Sequence, residues 1–145
     1  MPSAYRRILV HTRPGVSVHD ITPELRACVA RAGIREGFAV LSTLHTTTAI
    51  TVNEHESRLL ADVRRFFLEL APPHARYLHN DIHLRDCPPD EPQNAHAHLI
   101  AMMLGNSETL PIHEGEVDLG RWQSVMLVEL DGPRERSIAV QLWGD

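Results

Sequence analysis

Histidines, hydroxyls and carboxylates fall at a few places along the chain where their spacing could do chemistry. His45-Thr46-Thr47-Thr48 ends an apolar run. By the two-residue period of a strand, His45 shares a face with Ala39, Leu41 and Thr43. Three hydroxyls beside an imidazole at a strand end could cradle an oxyanion; the plainer reading is a threonine-rich β connection. Asn53-Glu54 follows, with Asn53 suited to capping a helix and Glu54 to the first helical turn. In His79-Asn80-Asp81 a histidine and an aspartate two apart could supply a metal ligand and its orienting acceptor, or simply a polar loop. In Asn94-Ala95-His96-Ala97-His98, the two histidines are two apart on a predicted helix and do not face each other. They cannot share one metal, and His98, on a stripe with Ala95 and Met102, could equally be a hydrogen-bonded core residue. Glu129 lies among Val125, Met126, Leu127, Val128 and Leu130, on the face of Val125 and Leu127. A carboxylate there needs a partner, such as an arginine across a subunit boundary or a site.

Composition narrows the chemistry. All 14 basic residues are arginine, so lysine Schiff bases and the Walker A lysine are excluded. An anion must be held by arginine, backbone N–H, hydroxyl, histidine or a metal. The net charge of −5 weighs against a nucleic-acid partner. Seven of the ten histidines lie between positions 45 and 98, which makes metal binding or proton transfer worth testing. No HExxH or CxxC spacing occurs, so a metal site would be assembled from residues distant in sequence. Met1–Val10 carries Arg6 and Arg7 with no apolar segment after them, and no run has transmembrane length. A cytoplasmic protein with reduced Cys28 and Cys87 is expected, without a membrane partner. Cys28 is expected in the core.

The elements that must position these residues are predicted as follows. Strands cover Tyr5–Thr12, Gly37–Leu44, Ala49–Val52, Glu108–Ile112, Val117–Leu119, Ser124–Leu130 and Ser137–Trp143. A first helix opens at Thr22-Pro23-Glu24 and closes at Gly33. A second, capped by Asn53 with Glu56 three residues on, runs to about Leu70 with Leu59, Leu60, Val63, Phe66, Phe67 and Leu70 as its apolar stripe. A third is capped by Asn94 and closed by Gly105. The proline-rich stretch Ala71–Gln93 is irregular, the kind of long loop that is functional or disordered. Asp131–Arg136 reads as a hairpin loop joining the last two strands. Trp122 is expected in the core or at an interface. The 145 residues fit one domain (1–145) of the α+β class, with a mostly antiparallel sheet packed with helices.

Taken together, Leu44-His45-Thr46-Thr47, Asn53-Glu54, His79-Asn80, Ala97-His98 with Gly105 and Ser107, and Leu119-Gly120-Arg121-Trp122-Gln123 followed by Glu129 and Asp131-Gly132-Pro133-Arg134 resemble the YjbQ family, the secondary thiamine-phosphate synthase family. The match in order and spacing spans essentially the whole chain. Arg121 stands where the family pattern has threonine, and the proline-rich loop between His79 and Asn94 is a further departure. The resemblance implies a compact homotrimer. It places His45, His79 and His98 together near a subunit boundary, where they would bind a divalent metal (Zn or Mg) or touch phosphate directly. It also implies weak thiamine-phosphate synthase activity, joining a pyrimidine pyrophosphate to a thiazole phosphate with release of pyrophosphate. On that reading the partner is a small phosphorylated molecule. Thr46, Thr47 and Thr48, with Asn53, Asn80, Trp122 and Gln123, would bind it, and Glu54 or Asp81 would orient a histidine or serve as acid or base. Two other classes fit the same residues: a metal-dependent hydrolase with a three-histidine site, and a non-catalytic, regulatory trimer that binds metal or ligand.

Overall fold

A computed structural model describes residues 2–145. Eight strands, β1 (Ser3–His11), β2 (Gly15–Asp20), β3 (Gly37–Thr43), β4 (Thr48–Asn53), β5 (Ser107–His113), β6 (Glu116–Val117), β7 (Ser124–Gly132) and β8 (Glu135–Gly144), form two sheets. One has the order β1-β8-β3-β5-β6, the other β2-β7-β4. Every pairing is antiparallel. The helices are α1 (Thr22–Ala32), α2 (Ser57–Leu70) and α3 (Ala95–Leu104). The expected α+β class with antiparallel sheets is what is found. No helix among the described residues is long and apolar enough to cross a membrane.

The continuous apolar run of β7 explains the layering. Its side chains alternate between two cores. Val125 and Leu127 join Ile8, Leu41, Val140 and Leu142 of the larger sheet, with Leu25, Cys28 and Val29 of α1. Met126, Val128 and Leu130 face the other way, onto Phe67 of α2 and Ala97, Ile100 and Ala101 of α3. A strand covered on both faces loses polar alternation.

Several local expectations are corrected. β2 was not anticipated: Val16 and Val18 give only two apolar positions between Pro14 and Asp20. β7 and β8 do not form a hairpin, because they belong to different sheets and Asp131–Arg136 turns the chain from one to the other. Gly132 is required at that corner, where a Cβ would collide with the Arg13 carbonyl, and the Gly132–Pro133 bond is cis. Asn53 ends β4 rather than capping α2. The cap is Glu56, whose carboxylate accepts from the Arg58 and Leu59 N–H groups at 2.9 and 2.7 Å. Within the predicted α2 stripe Phe67 is buried, whereas Phe66 and Leu70 are exposed. Trp122 is not in the core: it is 65% exposed, with the Arg121 guanidinium 4.8 Å from its ring centre. Cys28 is buried as expected, and Gly33 closes α1 with φ 69°. The Ala71–Gln93 stretch carries two single 3₁₀ turns, Leu78–Asn80 and Ile82–Leu84.

Candidate functional site

A cleft of about 760 Å³ opens where the β3–β4 turn, the start of α3 and the β7–β8 corner meet. His45, Thr46 and Thr47 form one wall, Asn94 and His98 a second, and Arg134 and Arg136 a third, with Glu91 and Glu135 also lining it.

The first wall is fixed by its own hydroxyls. Thr43 and Thr48 share a hydrogen bond of 2.6 Å, and Thr48 Oγ1 donates to the His45 carbonyl at 3.3 Å. The Thr48 hydroxyl is therefore spent inside the turn. Thr47 Oγ1 accepts from Arg136 Nη2 at 2.8 Å. Thr46 alone of the three threonines is exposed. His45 Nε2 accepts the Ser137 N–H at 2.9 Å. An imidazole that accepts at Nε2 is neutral and carries its proton on Nδ1. Burial, then the charges of Arg136 and Arg134, hold the His45 pKa down against the opposing pull of Glu129.

The second wall depends on the start of α3. The Asn94 side chain does not cap the helix but donates to Asp131 Oδ2 at 2.8 Å. Asn80 takes over, its Oδ1 accepting the Ala95 N–H at 3.1 Å. This bond ties the His79 turn to the helix, and the His79 and His98 rings meet edge to face with centroids 4.7 Å apart. Burial, then the neighbouring His79, lowers the His98 pKa, while Asp131 and a hydrogen bond with the Thr46 backbone oppose this. His98 also lines two adjoining clefts, one shared with His45, Thr46 and Met102, the other with His79, Leu78, Leu99 and Met102.

The third wall was missed by sequence reasoning except through Glu129, whose need for a partner was recognised. The partner is Arg136 of the same chain: Nη2 meets Oε2 at 2.6 Å and Nε meets Oε1 at 2.8 Å, with both side chains buried. Thr12 Oγ1 donates to Oε1 at 2.6 Å, and the Leu130 and Asp131 N–H groups donate to Oε2 at 3.0 and 3.1 Å. Burial pushes the Glu129 carboxyl up, but these donors more than offset it and its pKa lies below the ordinary range. Arg134, nearer solvent, is held by Asp131, Nη2 to Oδ2 at 3.0 Å. The signal in the sequence was the pair Arg134 and Arg136, two apart at the head of a strand and opposite a buried carboxylate.

The remaining expected residues lie elsewhere. Asn53, Glu54, Trp122 and Gln123 line a separate cleft of about 520 Å³ with Val52. There Asn53 Oδ1 accepts the Glu54 N–H at 2.7 Å, and Gln123 Oε1 accepts the Gly120 N–H at 2.8 Å. Asp81 forms a two-pronged pair with Arg76 at 2.6 and 2.8 Å, which lowers its pKa. It makes no hydrogen bond to a histidine among the described residues. Among the described residues of the chain, no group of three His, Cys, Asp or Glu side chains is placed to hold a metal.

Two antiparallel sheets backed by helices, with a histidine- and arginine-lined cleft at the corner between the sheets, define the class of protein. The chain belongs to the YjbQ-like UPF0047 family, whose pattern it matches over residues 6–145. It is 40% identical over 135 residues to a UPF0047 protein of Methanothermobacter thermautotrophicus, covering 93% of this chain and 88% of that one. Among solved structures it is similar to a YbjQ-like protein of unknown function from Sulfolobus solfataricus P2 (TM-score 0.88, 36% identity, 99% of each chain). It is also similar to a hypothetical protein from Aeropyrum pernix K1 (TM-score 0.89, 34% identity, 98% and 99% of the two chains).

Proposed function

We propose that the cleft binds the phosphate groups of a small phosphorylated substrate and supports a weak thiamine-phosphate synthase reaction. In that reaction the pyrimidine methylene–oxygen bond breaks, a carbon–nitrogen bond to the thiazole forms, and pyrophosphate leaves with the bonding electron pair. The observation that carries this reading is the convergence of His45, Thr46 and His98 with Arg134 and Arg136 around one opening. Charge on the departing pyrophosphate would be met by directed N–H and O–H donors already fixed by the fold, the condition under which electrostatic stabilisation is effective. His45 serves as a neutral Nδ1–H donor. His98 is the residue suited to give a proton to the departing pyrophosphate oxygen, because His45 is committed to one tautomer.

The protein is further proposed to act in the cytoplasm as a homotrimer. Leu78 (81% exposed) and Met102 (80% exposed) stand beside the His79–His98 pair. An apolar flank of this kind is usual at an interface, and sedimentation should return the mass of three 16.3 kDa chains. A monomeric mass would remove the assembly from the account.

The test of the reaction is thiamine-phosphate formation from the two purified substrates, with pyrophosphate measured in parallel. Wild-type protein should give a slow, stoichiometric release of both products. His98→Ala should lose about 10²-fold. Product formation unchanged in folded His98→Ala would remove His98 from the mechanism; no product from the wild type would remove the reaction.

A further inference from the structure

We infer that Arg136 is the anion anchor of this cleft: a guanidinium clamped along one edge by Glu129 and Thr47 that presents its free Nη1 to an oxygen of a tetrahedral phosphate. The inference rests on the phosphate reading above and names the group that carries it.

A guanidinium has five N–H donors in a planar fork. In Arg136 the Nε proton and both Nη2 protons are used, by Glu129 Oε1, Glu129 Oε2 and Thr47 Oγ1. Nη1 makes no hydrogen bond to any described residue, yet it is not sealed away, since the only buried side-chain polar atom without a partner among them is His96 Nδ1. The side chain is only 5% exposed and lines the cleft. Two charged donors are thus left without a protein partner on a nearly buried group that lines the cleft. Its partner Glu129 has no such vacancy, accepting five hydrogen bonds. Buried polar groups find a partner in protein or in ordered solvent; here the protein supplies none for Nη1, so its partner comes from the cleft.

Arg134 is the weaker candidate, because its side chain is 42% exposed and its Asp131 partner is shared with Asn94. It sits at the rim and would meet an outer oxygen. Donors on two facing walls (Arg136 on one, the Thr46 hydroxyl and His45 Nδ1–H on the other) suit a tetrahedral anion better than a planar carboxylate.

The experiment is a titration of inorganic phosphate into the intact wild-type protein, followed by arginine side-chain and histidine ring NMR, with acetate as control. Phosphate should move the Arg136 guanidinium signals saturably, together with those of His98, and acetate should not. Arg136→Lys, which keeps the charge and loses the fork, should bind phosphate about tenfold more weakly or worse. Should that variant fail to fold, the wild-type titration decides alone. Saturable shifts at His98 with Arg136 unmoved would overturn the anchor and leave the phosphate reading standing. Equal binding of acetate would overturn the tetrahedral class. No saturable shift at any cleft residue would overturn both the anchor and the phosphate reading.

Discussion

At the scale of single residues, the account turns on which imidazoles can change charge. His19, His45, His96 and His98 all lie below the ordinary histidine value of 6.5, in each case first because burial penalises the charged ring. The folded protein therefore resists protonation, while the unfolded chain takes up protons from about pH 6.5 downward. Stability from these groups is present above that pH and is lost as the pH falls through it. His113 acts in the opposite sense, raised by its hydrogen bond to Glu36, but from an exposed position. The melting temperature is expected to drop between pH 7.5 and pH 5.5, well before the carboxylates titrate. Circular dichroism melts at the two pH values check this, and an unchanged or higher value at pH 5.5 would contradict it. His45, Thr46 and His98 were named as site residues through the family resemblance, since their spacing alone fits a threonine-rich connection and a core histidine equally well. What each nitrogen does was not legible, because the Ser137 N–H that fixes His45 comes from a strand 92 residues away.

At the scale of elements, the site depends on how α3 begins. Asn94 looked like its cap in the sequence, being a good N-cap type just before an apolar run. It is diverted to Asp131, and Asn80 caps instead from a turn 15 residues earlier. Asn80 is accordingly a link between the His79 turn and the His98 helix as well as a cap. Asn80→Ala should cost about 1 kcal/mol, read from urea denaturation midpoints, and should loosen the His79–His98 contact, read as a change in the ring signals of both histidines. A variant with wild-type stability and unchanged ring signals would show that the link carries no load. The same limit on local reading explains Asn53. Its type fits a cap, but β4 continues through it, and α2 starts only after Glu56. Helices α1 and α2 were legible at close to their true extent because an apolar stripe and a breaker are local signals. The corner between β7 and β8 was not, since only pairing across the fold distinguishes a hairpin from a change of sheet.

For the whole molecule, the buried ion pair joins the two sheets. Glu129 lies on β7 and Thr47 just before β4, in the smaller sheet; Arg136 lies on β8 and Thr12 just after β1, in the larger one. Two members of the polar contact that holds the sheets together at this end, Thr47 and Arg136, thus also line the cleft. Removing one member leaves the other charged and buried, which is costly. Glu129→Gln should lower unfolding stability by about 3–5 kcal/mol, measured by denaturant titration, and a change below about 1 kcal/mol would mean that the sheets hold without the pair. Glu129 was visible in the sequence as a carboxylate needing a partner; its partner was not, because two sheets must stack before the two side chains meet. The central claim, that this corner cleft receives phosphate, is tested most directly by a crystal soaked in inorganic phosphate. The account predicts tetrahedral density within hydrogen-bonding distance of Thr46, His98 and Arg136. Tetrahedral density at the Asn53–Glu54–Trp122–Gln123 cleft, with the histidine cleft holding none, would contradict it.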